Sequence, residues 1–271
     1  SAGTKDIVIQ GDSDITLAGA YTVNAGGGIG GTVEDWSQWE EVSGLPAPRE
    51  YFAAGVLNGA LYAMGGYGSG CYTNVYRYDG TSWTEVAGLP KSLGFEAADT
   101  LNGVLYAFGG YDGSNSSTNV YRYNGTVWDE VAGLPKTESA FAAGVLNGAL
   151  YSVGGYDDSS SSTNVYRYDG TNWTEVAGLP AELSYHALSV LNGALYTVGG
   201  YNDAFPQTNV YRYNGTIWEE MEGLPKALDG LGVGTLNDRI YAAGGYAVAG
   251  GAQTNAYRYD GTNWQEIVSL P

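Results

Sequence analysis

The stretch that decides the fold is Leu57–Tyr67, with the sequence LNGALYAMGGY. Near copies of it begin at Leu101, Leu146, Leu191 and Leu236, so the spacing between copies is 44 or 45 residues. Self-similarity at such a period is typical of architectures in which each copy is one supersecondary unit and neighbouring units bury a common core. The sequence therefore predicts a repeat protein, and the unit must be understood before any functional residue.

A second repeated block, Thr73–Pro90 (TNVYRYDGTSWTEVAGLP), completes the unit. The two blocks together predict four short strands, which we label a, b, c and d in chain order. Asn-Gly and Asp-Gly pairs accept positive φ at both central positions of a type I′ turn, so Asn58-Gly59 and Asp79-Gly80 predict two-residue hairpins between a and b and between c and d. Further copies of the second block begin at Thr118, Thr163, Thr208 and Thr254.

The two-residue turn at Asp79-Gly80 also fixes an expected register for strands c and d. Counting outward from it pairs Tyr76 with Trp83 and places Tyr76, Tyr78 and Trp83 on one face of the unit. By the same count, Trp128 of the next unit is expected to be buried between units beside Tyr121.

The order of these residues resembles the kelch repeat, in which a double glycine follows an apolar strand and a Tyr and a Trp come later. The resemblance implies an all-β fold, a β-propeller whose blades are the four-stranded antiparallel units. The copies are Gly65-Gly66, Tyr78 and Trp83; Gly109-Gly110, Tyr123 and Trp128; Gly154-Gly155, Tyr168 and Trp173; Gly199-Gly200, Tyr213 and Trp218; and Gly244-Gly245, Tyr259 and Trp264.

The first part of the chain departs from the pattern but keeps its order, with Gly19-Ala20-Tyr21 before a Trp39–Pro46 segment that ends in Leu-Pro. We therefore predict a single six-bladed propeller domain over residues 1–271 with a degenerate first blade. The alternative is five blades preceded by an N-terminal β segment. The expected blades are approximately 1–46, 47–90, 91–135, 136–180, 181–225 and 226–271.

Composition excludes several classes of function. The formal net charge is −18, from 29 acidic and 11 basic residues, and it repels the phosphates of nucleic acid. One cysteine and one histidine allow neither an internal disulfide nor a Cys/His zinc cage. No apolar run approaches the ~18 residues of a membrane span. We expect no cofactor, no metal, no nucleic-acid partner and no membrane insertion, and an extracellular or surface-exposed location.

Two motifs that suggest other chemistry lack the context they need. Gly26–Gly31 satisfies the G-x-G-x-x-G pattern of dinucleotide binding, but no helix follows it. Four aspartates in the loops between strands b and c lack an ordered ligand spacing, so solvated turns are expected there rather than calcium sites. They are Asp112, Asp157, Asp158 and Asp203.

Nearly identical units differ mainly in the b–c loop and at the start of strand a, and both segments are expected on the same face, opposite the hairpins. Binding residues commonly lie on such variable segments of a rigid scaffold. The variable face combines aromatic rings with polar groups, as ligand pockets do. The tyrosines that follow the double glycines lie beside it. The candidate ligand-binding residues are Arg49, Glu50, Tyr51, Phe52, Phe95, Glu96, Glu138, Phe141, Tyr185, His186 and Asp229.

We interpret the chain as a non-enzymatic recognition or adhesion module that binds a glycan or a protein through this face, within a larger surface or phage-like assembly. The alternative is a sugar-modifying enzyme of the mutarotase type, an activity that some kelch proteins have, with Glu50, Glu96, Glu138 and His186 supplying acid and base. A structural, self-associating repeat protein is the second alternative. No nucleophile motif favours the enzyme.

Overall fold

The structure is a computed structural model that describes residues 42–270, and this part of the chain is all β, with no helix. No segment of the described part is therefore a helix of the length and apolarity that crossing a membrane requires. The strands are β1 (Ala53–Leu57), β2 (Ala60–Met64), β3 (Val75–Tyr78), β4 (Trp83–Val86), β5 (Ala97–Leu101), β6 (Val104–Phe108), β7 (Val120–Tyr123), β8 (Trp128–Glu130), β9 (Ala142–Leu146), β10 (Ala149–Val153), β11 (Val165–Tyr168), β12 (Trp173–Glu175), β13 (Ala187–Leu191), β14 (Ala194–Val198), β15 (Val210–Tyr213), β16 (Trp218–Glu220), β17 (Gly232–Leu236), β18 (Arg239–Ala243), β19 (Tyr246–Ala247), β20 (Gly251–Ala252), β21 (Ala256–Tyr259) and β22 (Trp264–Ile267).

These strands form five antiparallel sheets of four strands, each in the order a, b, c, d. We number them blades 2 to 6 after their sequence units; in blade 6 the small hairpin β19–β20 lies between strands b and c. The four-stranded kelch-type blades are confirmed, and the number of described blades is the one that the alternative interpretation gives. The predicted first blade lies outside the described residues except for residues 42–46, so a sixth blade stays a prediction.

Neighbouring blades pack face to face, and the hydrophobic core lies in the seams between them. The seam between blades 2 and 3 contains the fully buried Met64, Val75 and Leu105 together with Tyr121. The a strands of successive blades contact one another around the axis. Each blade thus buries one sheet face against each neighbour, as expected when a single unit cannot bury its own apolar surface.

A tryptophan ties the outer strand of each blade to the blade before it. Trp128 Nε1 donates a hydrogen bond to Ala87 O at 2.9 Å, and Trp173, Trp218 and Trp264 repeat this bond at 2.9 to 3.0 Å. Trp83 makes the same bond to Ser43 O at 2.8 Å. Residues 42–46 therefore take the place against blade 2 that the end of a d strand takes against every other described blade.

The a–b turn is the two-residue hairpin that the sequence predicts. Leu57 pairs with Ala60, and the two residues between them have φ of 51° at Asn58 and 72° at Gly59. Positive φ at both positions is the type I′ geometry. This prediction is confirmed.

The predicted c–d turn is wrong by two residues. Tyr78 pairs with Trp83 and Tyr76 with Glu85, so the loop contains four residues and not two. The cause is the Asp79 carboxylate, whose Oδ1 accepts hydrogen bonds from the backbone N of Thr81 and of Ser82, both at 2.9 Å. An Asp side chain that caps its own turn in this way closes a longer loop.

The difference of two residues in the c–d turn changes which tyrosine each tryptophan contacts. It leaves the tryptophan on the predicted face of the sheet. Trp128 stacks on Tyr123, with ring centroids 4.8 Å apart, rather than lying beside Tyr121. Its side chain is half-buried rather than buried, at the outer rim of the seam. A shift of two residues preserves the face because side chains alternate with a period of two.

The double glycine is required by close packing at the inner end of each seam. A Cβ added to Gly110 would lie 2.8 Å from Glu96 Cβ in the same blade, and one added to Gly109 would lie 2.4 Å from the ring of Phe141 in the next blade. Both glycines also have positive φ, 64° at Gly109 and 84° at Gly110. The first glycine therefore leaves room for a side chain from the following blade, and the second for the start of its own strand a.

Candidate ligand-binding site at the channel mouth

The inner strands surround a channel of about 1380 Å³ whose wall consists largely of small residues such as Ala98, Gly144, Ser189 and Gly234. At one end of it, the start of strand a pairs with the residue after the double glycine, as Glu50 does with Tyr67. The b–c loops and the starts of the a strands therefore share this end, and the a–b and c–d hairpins lie at the other.

The five described blades are joined at this end by a row of four backbone hydrogen bonds. Phe95 N donates to Tyr51 O at 2.8 Å, Ala140 N to Phe95 O at 2.9 Å, Tyr185 N to Ala140 O at 2.7 Å, and Gly230 N to Tyr185 O at 2.8 Å. All five residues have φ between 51° and 58°. The blades thereby hold these positions, which we call the mouth positions, in one fixed arrangement.

Three aromatic side chains at the mouth positions meet over the channel. Tyr51 stacks on Phe95 with centroids 4.2 Å apart, and Tyr185 meets them edge-on at 6.3 Å and 6.0 Å. They come from blades 2, 3 and 5, and Tyr51 is 40% exposed. Ala140 and Gly230 leave the other two sides open. A partly exposed aromatic surface therefore lies over part of this end of the channel.

Two carboxylates lie beside the aromatic rings. Glu50 is exposed, and Asp229 is half-buried. Burial raises the pKa of Asp229 to about 6, and within residues 42–270 its carboxylate has no hydrogen-bond or ion-pair partner. Burial, and then the charge of Asp229 among others, raises the pKa of both the Tyr51 and the Tyr185 hydroxyls. The mouth is therefore negatively charged and partly desolvated.

The residue after each mouth position lies in a seam and not at the mouth. We call these the seam positions: Phe52, Glu96, Phe141, His186 and Leu231. They are 2 to 8% exposed. Each has its Cβ against the second glycine of its own blade, and in four of them the side chain reaches the first glycine of the preceding blade. The structure thus separates Phe52, Glu96, Phe141 and His186 from the mouth residues next to them in the chain.

Two of the seam positions hold titratable groups in their uncharged forms. Glu96 Oε1 accepts a hydrogen bond from Ala53 N at 3.3 Å, and burial raises the pKa of this carboxyl to about 8. Burial lowers the pKa of His186 to about 4, and this effect outweighs the opposing one of a backbone hydrogen bond at Val153. Desolvation disfavours the charged form in both cases, which is why the two shifts have opposite signs.

Arg49 and Glu138 are also buried by the protein itself. Arg49 is 5% exposed, donates to Gly65 O at 2.7 Å, and lies 4.7 Å from the ring centroid of Tyr76. Glu138 is 0% exposed and accepts from Ser152 Oγ at 2.6 Å, and burial raises its pKa to about 8. The candidates that reach the mouth are Glu50, Tyr51, Phe95, Tyr185 and Asp229.

The loop aspartates bind groups of the protein. Asp158 accepts from the N and Oγ of Ser116 in the preceding blade, at 2.9 and 2.7 Å, and Asp203 does the same with Ser161. Asp112 and Asp157 cap their own turns. Within residues 42–270 no group of three or more His, Cys, Asp or Glu side chains is arranged to hold a metal ion.

Two exposed apolar side chains of the same face were missed by the sequence analysis. Phe205 is 56% exposed in the b–c loop of blade 5, and Val248 is 74% exposed in the hairpin of blade 6, where Tyr246 is 52% exposed. The sequence contains a signal for them, because an apolar residue in an otherwise polar loop is unusual unless another group covers it. These residues extend the apolar surface beyond the mouth.

Comparison with known proteins agrees with this architecture. The kelch motif family matches residues 48–90, 97–135, 139–180 and 182–224, more than half of the chain. The chain therefore belongs to the kelch repeat family, whose propellers generally mediate protein binding.

A solved structure of a protein named YjhT aligns with a TM-score of 0.74 over 83% of this chain and 85% of that one, at 18% sequence identity. At this identity the likeness shows the fold alone. No curated protein matches the chain.

Proposed function

We propose that the protein is a non-enzymatic recognition module that binds a protein or a glycan at the channel mouth. One observation supports this most directly: almost identical blades carry different side chains at the mouth positions, and these bring three aromatic rings together beside two carboxylates. The row of backbone hydrogen bonds between blades holds that surface in place before any ligand arrives. A preorganised site loses less conformational entropy on binding.

The exposed side chains suit an extended ligand. Tyr51, Phe205, Tyr246 and Val248 are 40 to 74% exposed on the same face. Aromatic residues are enriched in the centres of protein interfaces, where they contribute most of the binding energy. Rings of this kind also stack on the apolar faces of sugars. A module with this role fits an extracellular or surface-exposed location, which we propose together with it.

The placement of titratable groups favours recognition over sugar chemistry. A general acid or base must come within hydrogen-bond reach of the proton that it transfers. Glu96, Glu138 and His186 are 0 to 6% exposed in the blade packing, so of the four proposed acid–base residues only Glu50 lies on the accessible mouth. An enzyme would therefore need Glu50 and Asp229 as its pair.

A glycan array and a displayed-peptide library, each probed with the wild type, test the proposal. The ligands found should bind the variant Tyr51→Ala/Tyr185→Ala much more weakly, whereas Thr171→Ala at a c–d hairpin tip should bind as the wild type does. Thermal unfolding checks that both variants are fully folded at the temperature of the binding assay. Ligands that depend on the hairpin tip, or a sugar turned over by the wild type and not by Glu50→Gln, would contradict a non-enzymatic mouth.

A further inference from the structure

The charge of the channel points to the kind of ligand. The described lining includes the carboxyl groups of Glu50, Asp99, Asp229 and Asp238, together with the uncharged carboxyl of Glu96, and contains no Lys or Arg. A cavity lined by one sign of charge between low-dielectric walls concentrates ligands of the opposite sign.

Three cations of this face are held by their own contacts, and a further one, Lys136, is exposed in blade 4, where its charge acts on Glu138 and Asp157. Lys91 forms an ion pair of 2.7 Å with Asp112, and Lys226 bonds to Gln253 and to Asn255. Arg49 is buried against two tyrosine rings. None of these side chains is therefore in place to neutralise Asp229, which stays without a partner in the described part of the chain.

The aromatic rings beside Asp229 supply the second component of a cation site. The face of a Tyr or Phe ring attracts a cation within about 6 Å of its centroid. Tyr51 is stacked on Phe95 on one side and keeps 40% of its surface exposed. A guanidinium group can therefore lie on an aromatic face while it donates hydrogen bonds to the carboxylate of Asp229, a combination to which the planar shape of arginine is suited.

The backbone at the mouth positions indicates that these rings are there for their own contacts. An L residue with φ near +50° costs about 1 to 2 kcal/mol relative to glycine. Blade 6 has glycine at this position, Gly230, whereas blades 2, 3 and 5 have Tyr51, Phe95 and Tyr185. The seams do not require the rings, because Ala140 and Gly230 occupy the same backbone arrangement.

We infer that the mouth binds an Arg or Lys side chain presented by a partner protein. The inference rests on the proposed function and specifies its ligand. The cation enters between the exposed ring of Tyr51 and the carboxylate of Asp229, and the apolar side chains of Phe205, Tyr246 and Val248 contact the surrounding surface of the partner. Opposite charge also steers such a partner to a chain with a net charge of −18.

The test uses two probes that differ only in charge: Nα-acetyl-arginine amide and its neutral isostere Nα-acetyl-citrulline amide. Each is titrated into the protein at physiological ionic strength, where distant charges are screened over about 8 Å. NMR signals of the tyrosine rings are followed. We expect arginine to shift the Tyr51 and Tyr185 signals and to bind about tenfold more tightly than citrulline, a difference that one cation–π contact and one carboxylate supply.

Two Asp→Asn variants with the same change in net charge separate a site from a general attraction. Asp229→Asn should lower the affinity for the arginine probe about tenfold, towards that of citrulline. Asp169→Asn changes an exposed hairpin-tip residue on the opposite face, where Asn124 and Asn214 already cap the same turn in other blades. It should leave the titration unchanged. Peptides selected from the library should contain an Arg or Lys whose replacement by Gln abolishes binding.

Other results of these titrations contradict the cation site. Equal binding of both probes, no shift with either, or an equal loss in Asp229→Asn and Asp169→Asn overturns the inference. If the selected ligands nevertheless need Tyr51 and Tyr185, the proposed recognition function stands with a ligand of another charge. If the selected ligands bind Tyr51→Ala/Tyr185→Ala as well as the wild type, the proposed function fails too.

Discussion

Phe95 and Glu96 are neighbours in the chain but belong to different regions of the molecule. Phe95 is a mouth position and contributes to the aromatic surface over the channel, whereas Glu96 is a seam position, 6% exposed and packed against the glycines of two blades. The same division separates Tyr51 from Phe52 and Tyr185 from His186. Both regions vary between the repeats, so variation between copies does not by itself identify a ligand surface.

The sizes of the varying residues show why each region varies. The mouth positions include Ala140 and Gly230, whereas the seam positions are Phe, Glu, Phe, His and Leu, all large. A seam side chain must fill the space over a double glycine, since a void in a packed core costs stability. A mouth side chain has no such space to fill. Changes in the seam should therefore act on stability, and changes at the mouth on binding.

The largest effect is expected from closing the space in a seam. In Gly110→Ala the new Cβ would lie 2.8 Å from both Glu96 Cβ and Gly94 O at φ of 84°. Backbone strain of about 1 to 2 kcal/mol and overpacking of about 1 to 3 kcal/mol should together lower the free energy of unfolding by about 2 to 5 kcal/mol. Urea denaturation measures it.

The matched control for this change is Gly125→Ala at a hairpin tip. Its φ is 97°, and no atom lies within 4 Å of the added Cβ. It should cost only the strain, about 1 to 2 kcal/mol. Equal losses in the two variants would mean that φ, and not close packing, explains the double glycine.

The next largest effect on stability is expected at the outer rim of the seam. Trp128→Ala removes the stack on Tyr123 and the hydrogen bond to Ala87 O. Because the side chain is only half-buried, the loss should be near the lower end of the range for Trp→Ala, about 3 kcal/mol. Trp128→Phe keeps a ring in place and should cost about 1 kcal/mol. A Trp128→Ala protein that melts at the wild-type temperature would contradict the packing described here.

The buried carboxyl groups of the seam make stability depend on pH. The pKa of Glu96 and of Glu138 is raised to about 8 in the folded protein, so the folded state holds protons that the unfolded state has already lost above its ordinary pKa. Stability should therefore fall as the pH rises through 8. Between pH 7 and pH 8 each group should contribute a loss of roughly 1 kcal/mol.

Glu96→Gln keeps the shape of the side chain but removes its ionisable carboxyl group. It should therefore roughly halve the loss of unfolding free energy between pH 7 and pH 8. The exposed Glu182 provides the control, since Glu182→Gln should leave the pH dependence as it is in the wild type. Urea midpoints at the two pH values give both results. An unchanged slope in Glu96→Gln would show that this carboxyl is ionised in the folded protein.

The smallest effect on stability is expected at the mouth. Tyr185→Ala loses ring contacts of about 1 kcal/mol while the backbone strain remains. Tyr185→Gly loses the same contacts but relieves the strain, so its free energy of unfolding should lie within about 1 kcal/mol of the wild type. Thermal and urea unfolding of the pair check this order. Glycine less stable than alanine here would contradict the strain that we assign to the mouth positions.

Most of the fold could be predicted because the repeat averages out local ambiguity. The double glycines, the a–b turns and the Leu-Pro ends recur at a fixed period, and their geometry follows from residue type. The c–d turn was predicted wrongly because Asp-Gly is compatible with two loop lengths. Only the hydrogen bonds of the Asp79 side chain to Thr81 N and Ser82 N select the longer one.

The candidate site could be predicted only to the correct segment of each unit. Strand periodicity does not extend through Tyr51 or Tyr185, because a φ near +50° interrupts the alternation of faces just before strand a. The sequence therefore could not tell which of two adjacent residues enters the seam. Glu138 was assigned to the mouth for a related reason, because a carboxyl group in a variable segment suggests exposure. In the structure Ser152 donates a hydrogen bond to it, and it is 0% exposed.

The tryptophan bond between blades has a consequence for how such a chain changes in length by gene duplication. Each joint needs one donor, such as Trp128 Nε1, and one acceptor in the unit before it, such as Ala87 O. Because blades 2 to 5 each supply both from one contiguous unit, an in-frame copy of such a unit brings its own donor and its own acceptor. Recombination between the nearly identical repeats can thus add or delete a blade and still leave every tryptophan with a carbonyl acceptor. The constraint on blade number is then the curvature with which the blades pack around the axis.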